Sequence, residues 1–118
     1  MNNDEIIEQG RQTILIEAQA VSDLATRLGE DFARAVRMLL ETQGHAILTG
    51  VGKSGAIARK LAGTLASTGC PSAFMHPTDA AHGDLGMITE NDVVIALSQS
   101  GESAELNAIL PAIKRRGA

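Results

Sequence analysis

Aromatic residues are almost absent from this 118-residue chain, which contains two Phe and no Tyr or Trp. Its core must therefore be aliphatic. Proteins that bind single-stranded nucleic acid stack bases on exposed aromatic rings, so this class is disfavoured. The charge balance agrees, because 10 Lys and Arg oppose 14 Asp and Glu and leave a net charge of −4. A general phosphate-backbone binder needs the opposite sign, and we expect no nucleic-acid partner.

Cysteine and long apolar runs are also scarce. The single cysteine, Cys70, cannot form a disulfide within the chain, and the cytoplasm is the simplest compartment for such a protein. No apolar run approaches the ~18 residues that a membrane-spanning helix requires. The acidic first ten residues lack the basic and apolar regions of a signal peptide. We therefore expect a cytoplasmic protein without a membrane partner.

The chain has two kinds of hydrophobic pattern. Over residues 1–44, apolar side chains recur three or four residues apart, which predicts a pair of helices. Over residues 45–118, short apolar runs alternate with helical stretches. Strands are predicted at 45–50, 72–76 and 92–98, and helices at 54–68 and 103–116.

Alternating strands and helices form parallel sheets with right-handed crossovers. We therefore predict an α/β fold of three layers, a doubly wound parallel sheet whose strand order begins 2-1-3. The helical pair over 1–44 precedes it, and 45–118 form the N-terminal part of the same domain. Because the chain stops where a further strand should follow the last helix, we expect this domain to be truncated before its last strands.

The segment GVGKSG, residues 50–55, lies between a predicted strand and a predicted helix. Its glycines let the backbone approach a ligand, and the first N–H groups of the helix point towards an anion. The segment fits the G-x-G-x-x-G pattern of dinucleotide-binding folds, but Phe74, Met75 and His76 stand where the ribose-binding carboxylate should end the second strand. A nucleotide cofactor is therefore disfavoured, and a plain tight turn is the alternative to an anion site.

The segment SQSGES, residues 98–103, follows the third strand and opens the last helix. Hydroxyl and amide groups at a helix N-terminus suit a phosphate without much positive charge. In strand order 2-1-3 this segment meets the GVGKSG segment at a topological switch point, where α/β proteins bind ligands. A serine-rich surface turn is the alternative. The predicted phosphate-binding residues are Gly52, Ser54, Ser98, Gln99, Ser100 and Ser103.

The segments GVGKSG, HPTDAAHGDLGMI and SQSGESAEL, in this order, resemble the sugar isomerase (SIS) domain. More narrowly, the chain resembles the arabinose-5-phosphate isomerases that begin lipopolysaccharide Kdo synthesis, over essentially its whole length. The resemblance implies an enzyme that interconverts D-arabinose 5-phosphate and D-ribulose 5-phosphate through an enediol, with no cofactor. It also implies a longer, five-stranded domain, usually followed by CBS domains, and a homotetramer.

An aldose–ketose isomerase needs a general base, a group near the carbonyl oxygen and a phosphate anchor. Lys53 could polarise the carbonyl, His82 in the loop at 79–84 could shuttle protons, and Glu105 lies in the first turn of the last helix. By resemblance, these three residues fall on active-site positions of the family. Family members use a further Glu and a further His from a later part of their longer chains, and this sequence contains neither. We therefore expect the 118-residue chain alone to have little activity.

Simpler roles stay open for each of these residues. Glu105 could complement the helix dipole, Lys53 could be a solvated loop lysine and His82 could fix its loop by hydrogen bonds. No metal site is predicted, and His76 and His82 are only weak candidate ligands. The alternative function is a non-catalytic SIS module that binds a sugar phosphate as a sensor.

Overall fold

The computed structural model describes residues 1–118 and divides into two compact units, Met1–Val36 and Arg37–Ala118. The division falls inside the second helix, α2 (Glu30–Glu41). None of the helices is both long enough and apolar enough to cross a membrane.

The N-terminal unit contains α1 (Asn3–Leu24), a 3₁₀ turn over Ala25–Arg27 and the start of α2. A capping box begins α1: the Asn2 side chain accepts a hydrogen bond from the Glu5 N–H at 2.9 Å, and the Glu5 carboxylate accepts one from the Asn2 N–H at 2.8 Å. No side chain of α1 is buried, although the helix carries large apolar residues on its surface. Helices gain most of their stability from packing, so little within this unit stabilises α1 beyond its cap.

The second unit is built on a sheet of three parallel strands in the order β2-β1-β3. Its elements are β1 (Ala46–Gly50), α3 (Gly52–Ser67), β2 (Ser72–Phe74), α4 (Pro77–Ala81), β3 (Val93–Leu97) and α5 (Ala104–Arg115). The predicted α/β class, the parallel pairing and the strand order 2-1-3 are confirmed. In such a sheet the connecting helices cover both faces. The strands are therefore buried on both sides, which explains their nearly continuous apolar sequences.

Helices cover both faces of the sheet and produce two hydrophobic cores. Side chains alternate along β1, so Ile47 packs into the core beneath α4 and α5, whereas Leu48 packs into the core beneath α3. Leu106 and Ile109 of α5 contribute to the first core, and Ala58 of α3 contributes to the second. The result is the expected three-layer arrangement with β1 fully buried at its centre.

The segment after β2 differs from the prediction of a loop. Residues Pro77–Ala81 form the short helix α4, and Asp84–Met87 form a 3₁₀ turn. The His76 ring caps α4, because its Nδ1 accepts a hydrogen bond from the Thr78 N–H at 3.1 Å. Proline is favoured in the first turn of a helix, so His76-Pro77 starts a helix. The predicted strand over 72–76 was therefore too long, because β2 ends at Phe74.

Asp92 ties together the amino ends of β1 and β3. One carboxylate oxygen accepts a hydrogen bond from the His45 N–H at 2.7 Å, and the other accepts one from the Thr89 N–H at 2.8 Å. The side chain is only 4% exposed, and the His45 ring lies 3.9 Å away. Burial by itself raises the pKa of this carboxyl, but the bonds from His45 and Thr89 outweigh it and hold the pKa below its ordinary value.

We expect Asp92→Asn to lower the free energy of unfolding by about 1–3 kcal/mol, because an amide cannot accept from both backbone donors. The depressed pKa means that the unfolded chain binds the proton more readily. The ionised carboxylate therefore stabilises the fold fully above about pH 4, and that stability is lost as the pH falls through the folded pKa.

Urea unfolding at pH 7 and at several values between about pH 5 and 3 measures both effects. The matched control is Asp31→Asn, since Asp31 is 94% exposed and forms only a surface ion pair with Arg34; we expect it to change stability by less than about 0.5 kcal/mol. An Asp92→Asn variant with the wild-type dependence on pH would contradict this account.

Candidate functional site

The candidate site lies at the carboxyl edge of the sheet, where β1 and β3 end side by side. Gly50 of β1 is in register with Leu97 of β3, so both strands end at the same level. We call residues 50–55 the glycine loop, which leads into α3, and residues 98–103 the serine loop, which leads into α5. Because α3 and α5 cover opposite faces of the sheet, the two loops open a crevice between them.

Close backbone contact shapes the glycine loop. A Cβ atom on Gly55 would lie 2.6 Å from the Gly50 carbonyl oxygen, and one on Gly50 would lie 3.0 Å from the Gly55 nitrogen. Gly52 adopts a φ of 60°, a left-handed conformation that glycine tolerates best. The first turn of α3 can therefore pack directly on the end of β1, and this contact brings Ser54 to the crevice.

A cleft of about 460 Å³ lies between the two loops. Five of the six predicted phosphate-binding residues line it, namely Ser54, Ser98, Gln99, Ser100 and Ser103, whereas Gly52 does not. Val51 and Leu97 complete its walls. These two apolar residues were not predicted. The only signal for them is their position, since Val51 lies within the glycine loop and Leu97 ends β3 just before the serine loop.

The serine loop holds its hydroxyl groups in fixed directions. The Ser98 hydroxyl oxygen accepts a hydrogen bond from the Gly101 N–H at 2.9 Å, and the Ser100 hydroxyl oxygen accepts one from the Glu102 N–H at 3.1 Å. A hydroxyl that accepts from an amide still has its own proton to donate. Accepting a hydrogen bond also polarises a hydroxyl as a donor. Ser98 and Ser100 can therefore both donate to an anion in the cleft.

Ser103 connects the cleft to a carboxylate. It is the N-cap of α5, where its hydroxyl oxygen accepts from the Leu106 N–H at 3.4 Å and its proton is donated to the Glu105 carboxylate at 3.1 Å. Glu105 itself does not line the cleft but is held at its border by this bond. A carboxylate in the first turn of a helix also complements the helix dipole, so the geometry is compatible with a structural and with a chemical role.

The other predicted catalytic residues are less closely assembled. Lys53 lines an adjoining cleft of about 330 Å³ that shares Ser54 and Ser98 with the first. His82 follows α4, is exposed and lines neither cleft. The structure thus places Lys53 and Glu105 beside the serine loop and leaves His82 outside both clefts.

The weak metal candidates His76 and His82 do not belong to a ligand cluster. The chain contains no group of three or more His, Cys, Asp or Glu side chains that could hold a metal ion. Moreover, His76 uses its Nδ1 atom to cap α4.

Comparison with known proteins gives consistent matches. The SIS domain family model matches residues 39–118. The chain is 50% identical over 115 residues to arabinose 5-phosphate isomerase KdsD of Pseudomonas aeruginosa, covering 98% of this chain and 35% of that protein. It is 47% identical over 112 residues to arabinose 5-phosphate isomerase GutQ of Salmonella typhi, covering 95% of this chain and 35% of that protein. The chain therefore spans about a third of the length of these curated relatives.

Solved structures also match. A protein of Escherichia coli CFT073, solved in complex with arabinose 5-phosphate, is 48% identical and superposes with a TM-score of 0.92. The match covers 99% of this chain and 62% of that one.

We expect Ser100→Ala to weaken the binding of inorganic phosphate to the full-length protein by about 1–2 kcal/mol, the scale of one hydrogen bond to a charged group. Isothermal titration calorimetry measures this loss. Ser67→Ala is the matched control, because the Ser67 hydroxyl bonds only to the Thr64 carbonyl at the end of α3. Wild-type phosphate affinity in both Ser98→Ala and Ser100→Ala would exclude the serine loop as the anion site.

Proposed function

Because this chain belongs to the SIS domain family, as its motifs indicated, we propose that it is the substrate-anchoring part of an aldose–ketose isomerase. Its substrates are D-arabinose 5-phosphate and D-ribulose 5-phosphate. The observation that carries the proposal is the cleft at the serine loop, where the Ser98 and Ser100 hydroxyls are free to donate and the carboxylate of Glu105 lies at the border.

The chemistry of the cleft supports a phosphate ester as ligand. Its lining contains no charged side chain, so the hydroxyls, the Gln99 amide and the N-terminus of α5 supply the positive potential. A volume of about 460 Å³ is within the usual range for small-molecule sites. The names of the curated relatives support the same substrate, since both are arabinose 5-phosphate isomerases.

The reaction moves one proton between two neighbouring carbons. In the aldose-to-ketose direction, a base removes the proton from C2 while the carbonyl oxygen on C1 gains one, which produces the enediol. Loss of the proton from the hydroxyl on C2 and protonation of C1 then give the ketose. Holding the phosphate fixes these carbons against the proton-transfer groups, so the anchor contributes to the rate as well as to affinity.

We assign the proton transfers to Glu105 and His82 and the stabilisation of the enediolate oxygen to Lys53. Glu105 is supported by its bond to Ser103 at the border of the cleft. His82 is supported by its position after α4, which covers the same face of the sheet as α5. Lys53 is supported by its place in the adjoining cleft. Gly52 contributes to the phosphate anchor only through its backbone conformation, which shapes the glycine loop.

We further propose a cytoplasmic homotetramer whose product enters Kdo synthesis for lipopolysaccharide. Association between subunits is supported by α1, because this helix displays large apolar side chains and buries none of them. Exposed apolar surface of this kind is typical of protein interfaces. We also propose that the chain forms one domain, with a helical pair over 1–44 followed by the sheet-containing part over 45–118.

We expect Glu105→Gln to reduce kcat of the full-length protein by about 10²-fold or more, the usual range for a positioned acid or base. Its affinity for arabinose 5-phosphate should change little, because the phosphate anchor is retained. Formation of ribulose 5-phosphate measures kcat, and calorimetry measures affinity. Glu102→Gln removes the same charge three residues earlier, in the serine loop, and should keep wild-type turnover.

Near-wild-type turnover in both Glu105→Gln and His82→Asn would show that these residues are structural. A wild-type protein that binds arabinose 5-phosphate but never converts it would instead favour the non-catalytic sensor.

A further inference from the structure

Thr49 carries the one buried side-chain polar atom in this chain that has no hydrogen-bond partner. The residue lies in β1 and has 0% of its surface exposed. Buried hydroxyls are nearly always paired, and an unpaired one destabilises the fold. A valine has almost the same shape and would avoid that loss, so packing alone does not account for a threonine at this position.

Thr49 does not line the cleft but lies next to residues that do. It precedes Gly50 at the end of β1, and the next residue, Val51, lines the cleft. Across the sheet it is in register with Ala96 of β3, two residues before Ser98. Thr49 therefore lies close to the start of both loops that form the candidate anion site.

The direction of the Thr49 side chain follows from strand alternation. Ile47 packs beneath α4 and α5, and Leu48 packs on the opposite face, so Thr49 faces the α4–α5 layer. Glu105 begins α5 and His82 follows α4. The unpaired hydroxyl thus lies on the same face of the sheet as two proposed proton-transfer groups.

We infer that the Thr49 hydroxyl is a specificity-determining group that hydrogen-bonds to an oxygen of the sugar chain while the serine loop holds the phosphate. This inference rests on the proposed function. A sugar phosphate anchored at Ser98 and Ser100 extends its carbon chain over the end of β1 towards Glu105. A hydroxyl both donates and accepts, which matches the hydroxyl and carbonyl oxygens along that chain.

Because Thr49 is fully buried in the free chain, this contact requires one of the two loops to shift when the sugar phosphate binds. Each loop contains a glycine at positive φ, Gly52 at 60° and Gly101 at 72°. Glycine changes conformation at little cost, so both loops have a residue at which the backbone can move. The hydroxyl then gains the partner that it lacks in the free chain.

The test compares Thr49→Val and Thr49→Ser in the full-length protein, with calorimetric titration of D-arabinose 5-phosphate and of inorganic phosphate. For Thr49→Val we expect about tenfold weaker binding of the sugar phosphate, as for one lost hydrogen bond. Phosphate affinity should stay within about twofold of wild type, since phosphate alone has no sugar chain. The midpoint of thermal unfolding should be unchanged or higher, and Thr49→Ser should recover most of the sugar-phosphate affinity.

Two results would overturn the role of Thr49. One is wild-type affinity for arabinose 5-phosphate in Thr49→Val, and the other is an equal loss for phosphate and sugar phosphate, which would indicate a distorted anchor. A wild-type protein that binds inorganic phosphate but not arabinose 5-phosphate would reject the proposed function, and the role of Thr49 with it.

Discussion

The parallel pairing of β1 with β3 is the constraint on which the whole site depends. Five consecutive residue pairs, from Ala46–Val93 to Gly50–Leu97, bring the two strands to the same end. The helices that follow leave towards opposite faces, so their N-termini converge on one crevice. Asp92 fixes the other end of this pair through the His45 and Thr89 amides. A shift of one residue would turn every side chain of β3 to the wrong face, so this clamp also protects the geometry of the distant cleft.

The proposed anion site contains no cationic side chain, which is consistent with the chain's net charge of −4. The cleft is lined by neutral groups, and its donors are oriented by hydrogen bonds within the serine loop. Neutral donors at a helix N-terminus hold an anion without cations that would perturb nearby acids. Lys53 lines the adjoining cleft and Glu105 bonds to Ser103, so the charged groups lie beside the neutral cleft and not in its lining.

Much of this arrangement could be predicted because local patterns determine it. Strands alternating with helices require parallel pairing, and the glycines at 50, 52 and 55 mark a loop whose backbone contacts are visible in the structure. The serine segment is recognisable as a donor cluster because hydroxyl residues precede a helix. These features depend on residues that are neighbours along the chain.

The features that were not predicted are of two kinds, an unusual local helix start and contacts between residues distant in sequence. The helix α4 begins with a histidine ring as its cap, a rare start that the apolar run before it concealed. Val51 and Leu97 become cleft walls only after β1 and β3 pair. Thr49 resembles any other strand residue until the cores show that its hydroxyl is buried without a partner, at a cost of about 1–3 kcal/mol.

A crystal structure of the full-length protein with D-arabinose 5-phosphate tests the central claim most directly. The account predicts the phosphate within hydrogen-bond distance of the Ser98 and Ser100 hydroxyls. The sugar carbons should lie over the end of β1, on the side of Glu105. A phosphate bound away from the serine loop, with the Ser98 and Ser100 hydroxyls making no contact to the ligand, would contradict it.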